Sequence, residues 1–265
     1  MKNIGIIVAA VIFTLMAVYV IIFHPSSNEF KEGDLYDEIL QRGVIKVGIN
    51  TDSKPYGFYD EKGNLTGFDV DFARNIALYI LNNPERVEFI PVTPSNRLIM
   101  ASTGEVDIVI STVTITPQRQ EVVSFSIPYD YAEQAILVRK NSAIKSLGDL
   151  SGLNVGVIFG TTAERNLKKM VPTAHLRGFR NYRDAYIALK EGKIDALTSD
   201  DTILKRFTLD DSNVRMLSKG HSNEPYGIAF KKGVSSKKLK ERLDSAIKDM
   251  KRKNVLLRIK NKWDL

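Results

Sequence analysis

The sequence predicts an exported α/β protein of two lobes, each built on a mainly parallel sheet. Three observations predict it. Strand-like apolar runs alternate with helical patterns along the body, the alternation restarts past Tyr131, and a long apolar stretch precedes it all near the N-terminus. Alternation of this kind arises when helices cover the faces of a parallel sheet.

In chain order, residues 35–42 read as a short helix and 45–49 as a strand. Phe58-Tyr59 and Leu65-Thr66-Gly67 flank the turn-forming Asp60-Glu61-Lys62-Gly63-Asn64, a hairpin signal. A helix is predicted over 69–81 with Asp69 as its N-cap, then a strand over 87–92. Thr93-Pro94 and Thr116-Pro117 each place a capping hydroxyl before a proline, a helix-opening device, and 106–111 between them reads as a strand. Past Tyr131 come strands at 135–138, 154–158 and 196–198, a short helix and turn at 147–152, and helices from Thr161 to about 170 and over 182–191. A strand at 227–230 and one long helix over 235–262 complete the body. The repeated order of strand, turn and helix suggests two related lobes, without a literal sequence repeat.

The 265 residues hold about 1.5 to 2 average domains and can bury a sizeable core. No cysteine is present, which excludes disulfides, thiolate metal sites and cysteine nucleophiles. His24, His175 and His221 lie far apart, so no metal site and no cofactor is expected. The net charge of +7 is spread among acids except in the Lys-rich stretch 237–262. That pattern reads as a solvated basic face beside a membrane rather than a nucleic-acid surface.

Residues 4–23 are uncharged and apolar, after Lys2 and before His24-Pro25-Ser26-Ser27-Asn28. Such a run matches a bilayer core of about 30 Å. Its end, Val18-Tyr19-Val20-Ile21-Ile22-Phe23, is bulky where a cleaved signal has small residues. An uncleaved anchor is therefore favoured over a cleaved signal peptide within 1–30, and either places the body outside the cytoplasm.

Four blocks carry a family resemblance. They are Gly67-Phe68-Asp69-Val70-Asp71; Val106-Asp107-Ile108-Val109-Ile110-Ser111-Thr112-Val113-Thr114-Ile115-Thr116-Pro117-Gln118-Arg119; Phe125-Ser126-Ile127-Pro128-Tyr129; and Lys193-Ile194-Asp195-Ala196. In this order and spacing the chain resembles the family-3 bacterial extracellular solute-binding proteins, amino-acid receptors of ABC importers. It is most like the aspartate- and glutamate-binding members. The resemblance covers about residues 39–265, and Lys262-Trp263 fits the family's usual ending. It implies a periplasmic-binding-protein type II fold: lobe 1 from 31–132 and 228–265, lobe 2 from 133–227, and two crossover strands near 131–138 and 226–230. It also implies hinge closure on a free amino acid, a monomer, and an ABC permease as partner.

An amino acid brings two charges that are costly to bury unpaired. Arg119, three residues after the capping Thr116, offers a planar fork for a carboxylate. By itself it reads equally as a surface arginine beside Glu121; the resemblance assigns it the ligand α-carboxylate. Thr112 and Thr114 alternate with apolar residues, which puts both hydroxyls on one face of a strand end. The resemblance implies that Asp200 takes the α-ammonium; Asp201 and a plain capping role for Asp200 are the alternatives. Thr161 and Thr162 follow Gly160 at a strand-to-helix turn, where free amides bind anions, and Thr161 with Glu164 matches a capping box. Arg97, by the resemblance, points to an acidic ligand side chain. Lys54 adds a further cation or is a solvated loop lysine, and Tyr56 walls the pocket. Asp69 and Asp71 read as capping and framework rather than a metal pair.

Catalysis is not expected. A cyclohexadienyl-type dehydratase on this fold would need a general acid, and only Asp200 is placed for that. A ligand sensor for a membrane signalling partner is the other alternative.

Overall fold

The computed structural model describes residues 33–217 and 222–265. The apolar segment at 4–23 lies outside the described residues; among these no helix is long and apolar enough to cross a membrane.

Two five-stranded sheets organise the chain. The first runs in spatial order Val87–Pro91, Ile45–Ile49, Ile108–Val109, Ala229–Lys231, Val123–Phe125. Its first three strands are parallel and Ala229–Lys231 is antiparallel to both neighbours. The second sheet, His175–Phe179, Asn154–Ile158, Ala196–Asp200, Gln134–Arg139, Val214–Met216, repeats the pattern: three parallel strands, then antiparallel ones. The chain crosses between the sheets at Asp130–Ala132 and returns at Glu224–Tyr226, and these two segments pair antiparallel.

Both faces of each sheet are covered, which is why the strands read as near-continuous apolar runs. Ala135 and Leu137 join one core cluster while Ile136 and Val138 join another on the opposite face. Ile108 and Val109 divide in the same way in the first sheet. The largest cluster holds residues of both sheets, and Asp34–Leu265 form one compact unit.

Local chemistry sets most boundaries. Asp34 caps the helix Leu35–Arg42 by accepting from the Tyr36 amide at 3.0 Å, and Gly43 ends it at φ 71°. Thr116 caps the helix Pro117–Gln120 by accepting from the Arg119 amide. Five expectations need correction. The helix Phe68–Leu81 begins at Gly67, so Asp69 is not its cap but a buried residue of its first turn. Thr93-Pro94 opens a turn, because the Asn96 carboxamide oxygen takes both the Thr93 amide and hydroxyl; the helix starts at Arg97. The strand expected over 106–111 shrinks to Ile108–Val109, and Thr112 turns left-handed at φ 46°. The 227–230 strand is shifted: Glu224–Tyr226 crosses and Ala229–Lys231 joins the first sheet. The C-terminal helix is two, Lys237–Arg252 and Val255–Lys262, broken where Asn254 takes φ 55°.

The end of the second of these helices is fastened to the helix Phe68–Leu81. The Asp71 carboxylate accepts from Lys262 Nζ at 2.6 Å and Trp263 Nε1 at 2.8 Å. Ile108 is fully buried beside the strand Ile45–Ile49, so shortening it leaves a cavity. Ile108→Ala is expected to cost about 2–5 kcal/mol, read as a lower urea midpoint at unchanged slope.

Candidate functional site

The loops that follow the parallel strands of the two sheets meet along one seam, the place where α/β folds gather ligands. Side-chain hydrogen bonds tie them, among them one from Arg165 Nη1 to Gln118 Oε1. The Tyr182 amide, at the start of the helix Tyr182–Lys190, donates to Asp52 Oδ2 at 2.9 Å. Ser95 Oγ donates to the Phe159 carbonyl at 3.2 Å, Arg119 Nη2 to the Gly160 carbonyl at 3.0 Å, and Tyr226 Oη to Asp200 Oδ2 at 2.5 Å. Gly160 is pressed against Pro94: a Cβ there would lie 2.4 Å from the Pro94 carbonyl oxygen. The seam is closed, with a cavity of about 450 Å³ at its outer edge between Asn50–Asp52, Val92–Pro94 and Asn181–Asp184.

Arg119 is 7 % exposed and, among the described residues, pairs directly with no acid. Its Nη1 donates to the Thr114 carbonyl at 2.9 Å. Burial, with Arg97 and Arg165 nearby, pulls its pKa down to about 9 despite the pull of Asp200 and Glu224. A cation destabilised in this way favours a bound anion. The surface pairing with Glu121 is not formed.

Asp200 occupies the N-cap position of the helix Asp201–Asp210 but makes no side-chain cap bond. Its carboxylate turns to the Tyr226 hydroxyl instead. Burial pushes its pKa up to about 7, with Glu224 adding to the rise and Tyr226, Arg97 and Arg119 opposing it. Asp201 faces elsewhere and accepts from the Glu133 amide at 3.0 Å.

Thr112 and Thr114 are both buried, but the left-handed Thr112 breaks the strand alternation expected to align them. Thr114 instead bridges to Tyr226 across the crossing segment. Arg97, 3 % exposed, gives Nη1 to the Ser111 carbonyl, and its Nε has no hydrogen-bond partner among the described residues. Thr161 caps the helix Thr162–Met170 by position only: its hydroxyl donates back to the Ile158 carbonyl at 2.7 Å, so no capping box with Glu164 forms. Thr162 Oγ1 donates to Glu224 Oε2 at 2.9 Å and accepts from Gln134 Nε2 at 3.1 Å. Tyr56 is fully buried, edge-on to Tyr226 with ring centroids 5.8 Å apart. Lys54 lies apart from this group: half exposed, 3.9 Å from Asp210 and over the Phe58 ring. It is a surface cation and does not add to the buried charge.

Sequence reasoning missed Tyr226, Glu224, Gln134 and Asp52. Glu224-Pro225-Tyr226 did carry a signal, an acid and a tyrosine at the edge of an apolar strand. Gln134 and Asp52 carried none; only the fold makes them seam residues.

Residues 45–265 match the family model of the bacterial extracellular solute-binding proteins, family 3. The ABC transporter glutamine-binding protein GlnH of Bacillus subtilis (strain 168) is 36% identical over 240 residues, covering 90% of this chain and 87% of that protein. The glutamine-binding protein of Geobacillus stearothermophilus is 39% identical over 198 residues, covering 74% of this chain and 76% of that one. Among solved structures, an ancestral arginine-binding protein bound to glutamine superposes with a TM-score of 0.78 at 38% identity, covering 84% of this chain and 98% of that one. The chain belongs to the family-3 bacterial extracellular solute-binding proteins and has their periplasmic-binding-protein fold.

Gly160, at φ 80° against Pro94, is where the seam tolerates no side chain. Gly160→Ala is expected to hold the seam open, read as a larger radius of gyration in solution scattering; an unchanged curve would contradict the closed contact.

Proposed function

We propose that this family-3 protein is an extracytoplasmic receptor that clamps a free amino acid between two lobes and delivers it to an ABC permease. The observation that carries the reading is a buried, oppositely charged pair from the two sheets. Arg119 and Asp200 lie in each other's field, and each is destabilised by burial. A zwitterion relieves both: its carboxylate takes the Arg119 Nη2 donor from the Gly160 carbonyl, and its ammonium meets Asp200. Thr112, Thr114 and the Thr162 amide at the helix start supply neutral donors, Thr161 holds that helix start against the Ile158 carbonyl, and Tyr56 is a wall. Lobe 1 comprises 31–132 and 228–265, lobe 2 comprises 133–227, and the pair Asp130–Ala132 and Glu224–Tyr226 is the hinge. The receptor works as a monomer held at the membrane by 4–23.

For the ligand side chain we favour a neutral amide, as in glutamine. Arg97 and Arg119 already share their surroundings with Asp69, Asp200 and Glu224, so the second carboxylate of an acidic ligand would join three acids around two arginines. The two relatives named above as glutamine-binding support this. An acidic ligand, glutamate or aspartate, is the second reading; the unpartnered Arg97 Nε favours it.

Calorimetric titration of the full chain with the twenty amino acids tests the ligand. Glutamine is expected to bind most tightly, and Arg119→Ala to weaken it by about 2–5 kcal/mol. A response confined to glutamate and aspartate would establish the acidic reading; turnover of a cyclohexadienyl acid without amino-acid binding would establish the dehydratase alternative.

The Asp200 carboxyl, raised to about 7, must ionise to hold an ammonium. Affinity is therefore complete above pH 7 and falls roughly tenfold per pH unit below it. Asp200→Asn should bind weakly and without this pH dependence. A flat wild-type profile from pH 5 to 8 would reject the assignment.

A further inference from the structure

The segment Ser111–Thr114 is held in an unusual shape. Thr112 is β-branched yet sits at φ 46°, a left-handed conformation that is costly for such a residue and persists only where its surroundings impose it. Those surroundings are specific. Arg97 Nη1 donates to the Ser111 carbonyl, immediately before the turn. The Thr112 amide faces the Asp69 carboxylate and the Tyr129 hydroxyl, themselves 3.4 Å apart. Arg119 Nη1 takes the Thr114 carbonyl at 2.9 Å, immediately after it. All of Asp69, Arg97, Ser111 and Tyr129 are buried.

We propose that Arg97 is a positioning residue for the ligand carboxylate site rather than a partner of the ligand side chain: by gripping the Ser111 carbonyl it fixes the peptide that turns Thr112 left-handed toward Arg119. The inference rests on the amino-acid receptor reading. Arg97 and Asp69 act as a pair on the two sides of one peptide unit, the cation on its carbonyl and the anion on its amide. This matches the peptide dipole, so the two buried charges partly satisfy each other through the backbone. A guanidinium engaged with a backbone carbonyl in this way acts on every amino acid alike, because the α-carboxylate is common to all.

The two roles separate in one double-mutant cycle on the full chain. Arg97→Met should weaken every amino acid that the wild type binds by a similar factor, roughly ten- to hundredfold, with their rank order unchanged. Thr112→Gly removes the cost of the left-handed turn, so Arg97→Met introduced into Thr112→Gly should lose no more than about threefold. Loss confined to glutamate and aspartate, or an equal penalty in both backgrounds, would overturn the proposal. Wild-type protein that binds no amino acid would instead reject the receptor reading. The positioning role is then read without ligand: Arg97→Met should shift the Thr112 amide resonance and speed its hydrogen exchange, and an unmoved Thr112 resonance would overturn it.

Discussion

The arrangement depends on the hydrogen bond from the Tyr226 hydroxyl to Asp200, and on where Tyr226 stands. Its backbone pairs with Asp130 in the two-stranded crossing, accepts from the Tyr129 amide, and bridges to Thr114. Its ring packs edge-on to Tyr56. One residue thus touches the return crossing, the carboxylate-side loop of the first sheet and the acid at the end of a strand in the second. Asp200 is turned away from capping its own helix and faces the seam because this hydroxyl holds it there.

Around that contact the protein buries more charge than its fold requires. Arg97, Arg119, Asp69, Asp200 and Glu224 are all nearly inaccessible, and the two arginines bond to backbone carbonyls rather than to carboxylates. Partnering of this kind leaves the charges only partly compensated, which is why Arg119 loses basicity while Asp69 and Asp200 lose acidity. Sites that bind charged ligands are built from such groups, since the ligand completes what the fold leaves undone. Glu224 shows the contrast: Thr162 and Asn166 both donate to it, so it reads as the anchor of the crossing strand on the second sheet.

Strand and helix positions were legible wherever one periodicity ran unbroken. Leu35–Arg42, Ile45–Ile49 and Asn154–Ile158 fall where the pattern puts them. His175–Phe179 escaped notice because it is an edge strand of His, Leu, Arg, Gly and Phe with little burial. The threonine alternation at 112–114 misled for a different reason. Period-two reasoning assumes continued strand geometry, and one left-handed residue invalidates it.

The sequence by itself determined the two-sheet α/β class, the family, and three of the charged groups at the seam, Arg97, Arg119 and Asp200, because apolar periodicity and the Thr112–Arg119 block are local patterns. Only the tertiary structure decided what those groups do. Arg97 and, less firmly, Lys54 were both candidates for positive charge in the pocket, yet Lys54 lies outside against Asp210 and Arg97 inside on a backbone carbonyl. Asp200 and Asp201 are neighbours in the chain, yet they face Tyr226 and Glu133 respectively. Direction and burial are set by contacts between residues far apart in sequence, and no local pattern encodes them.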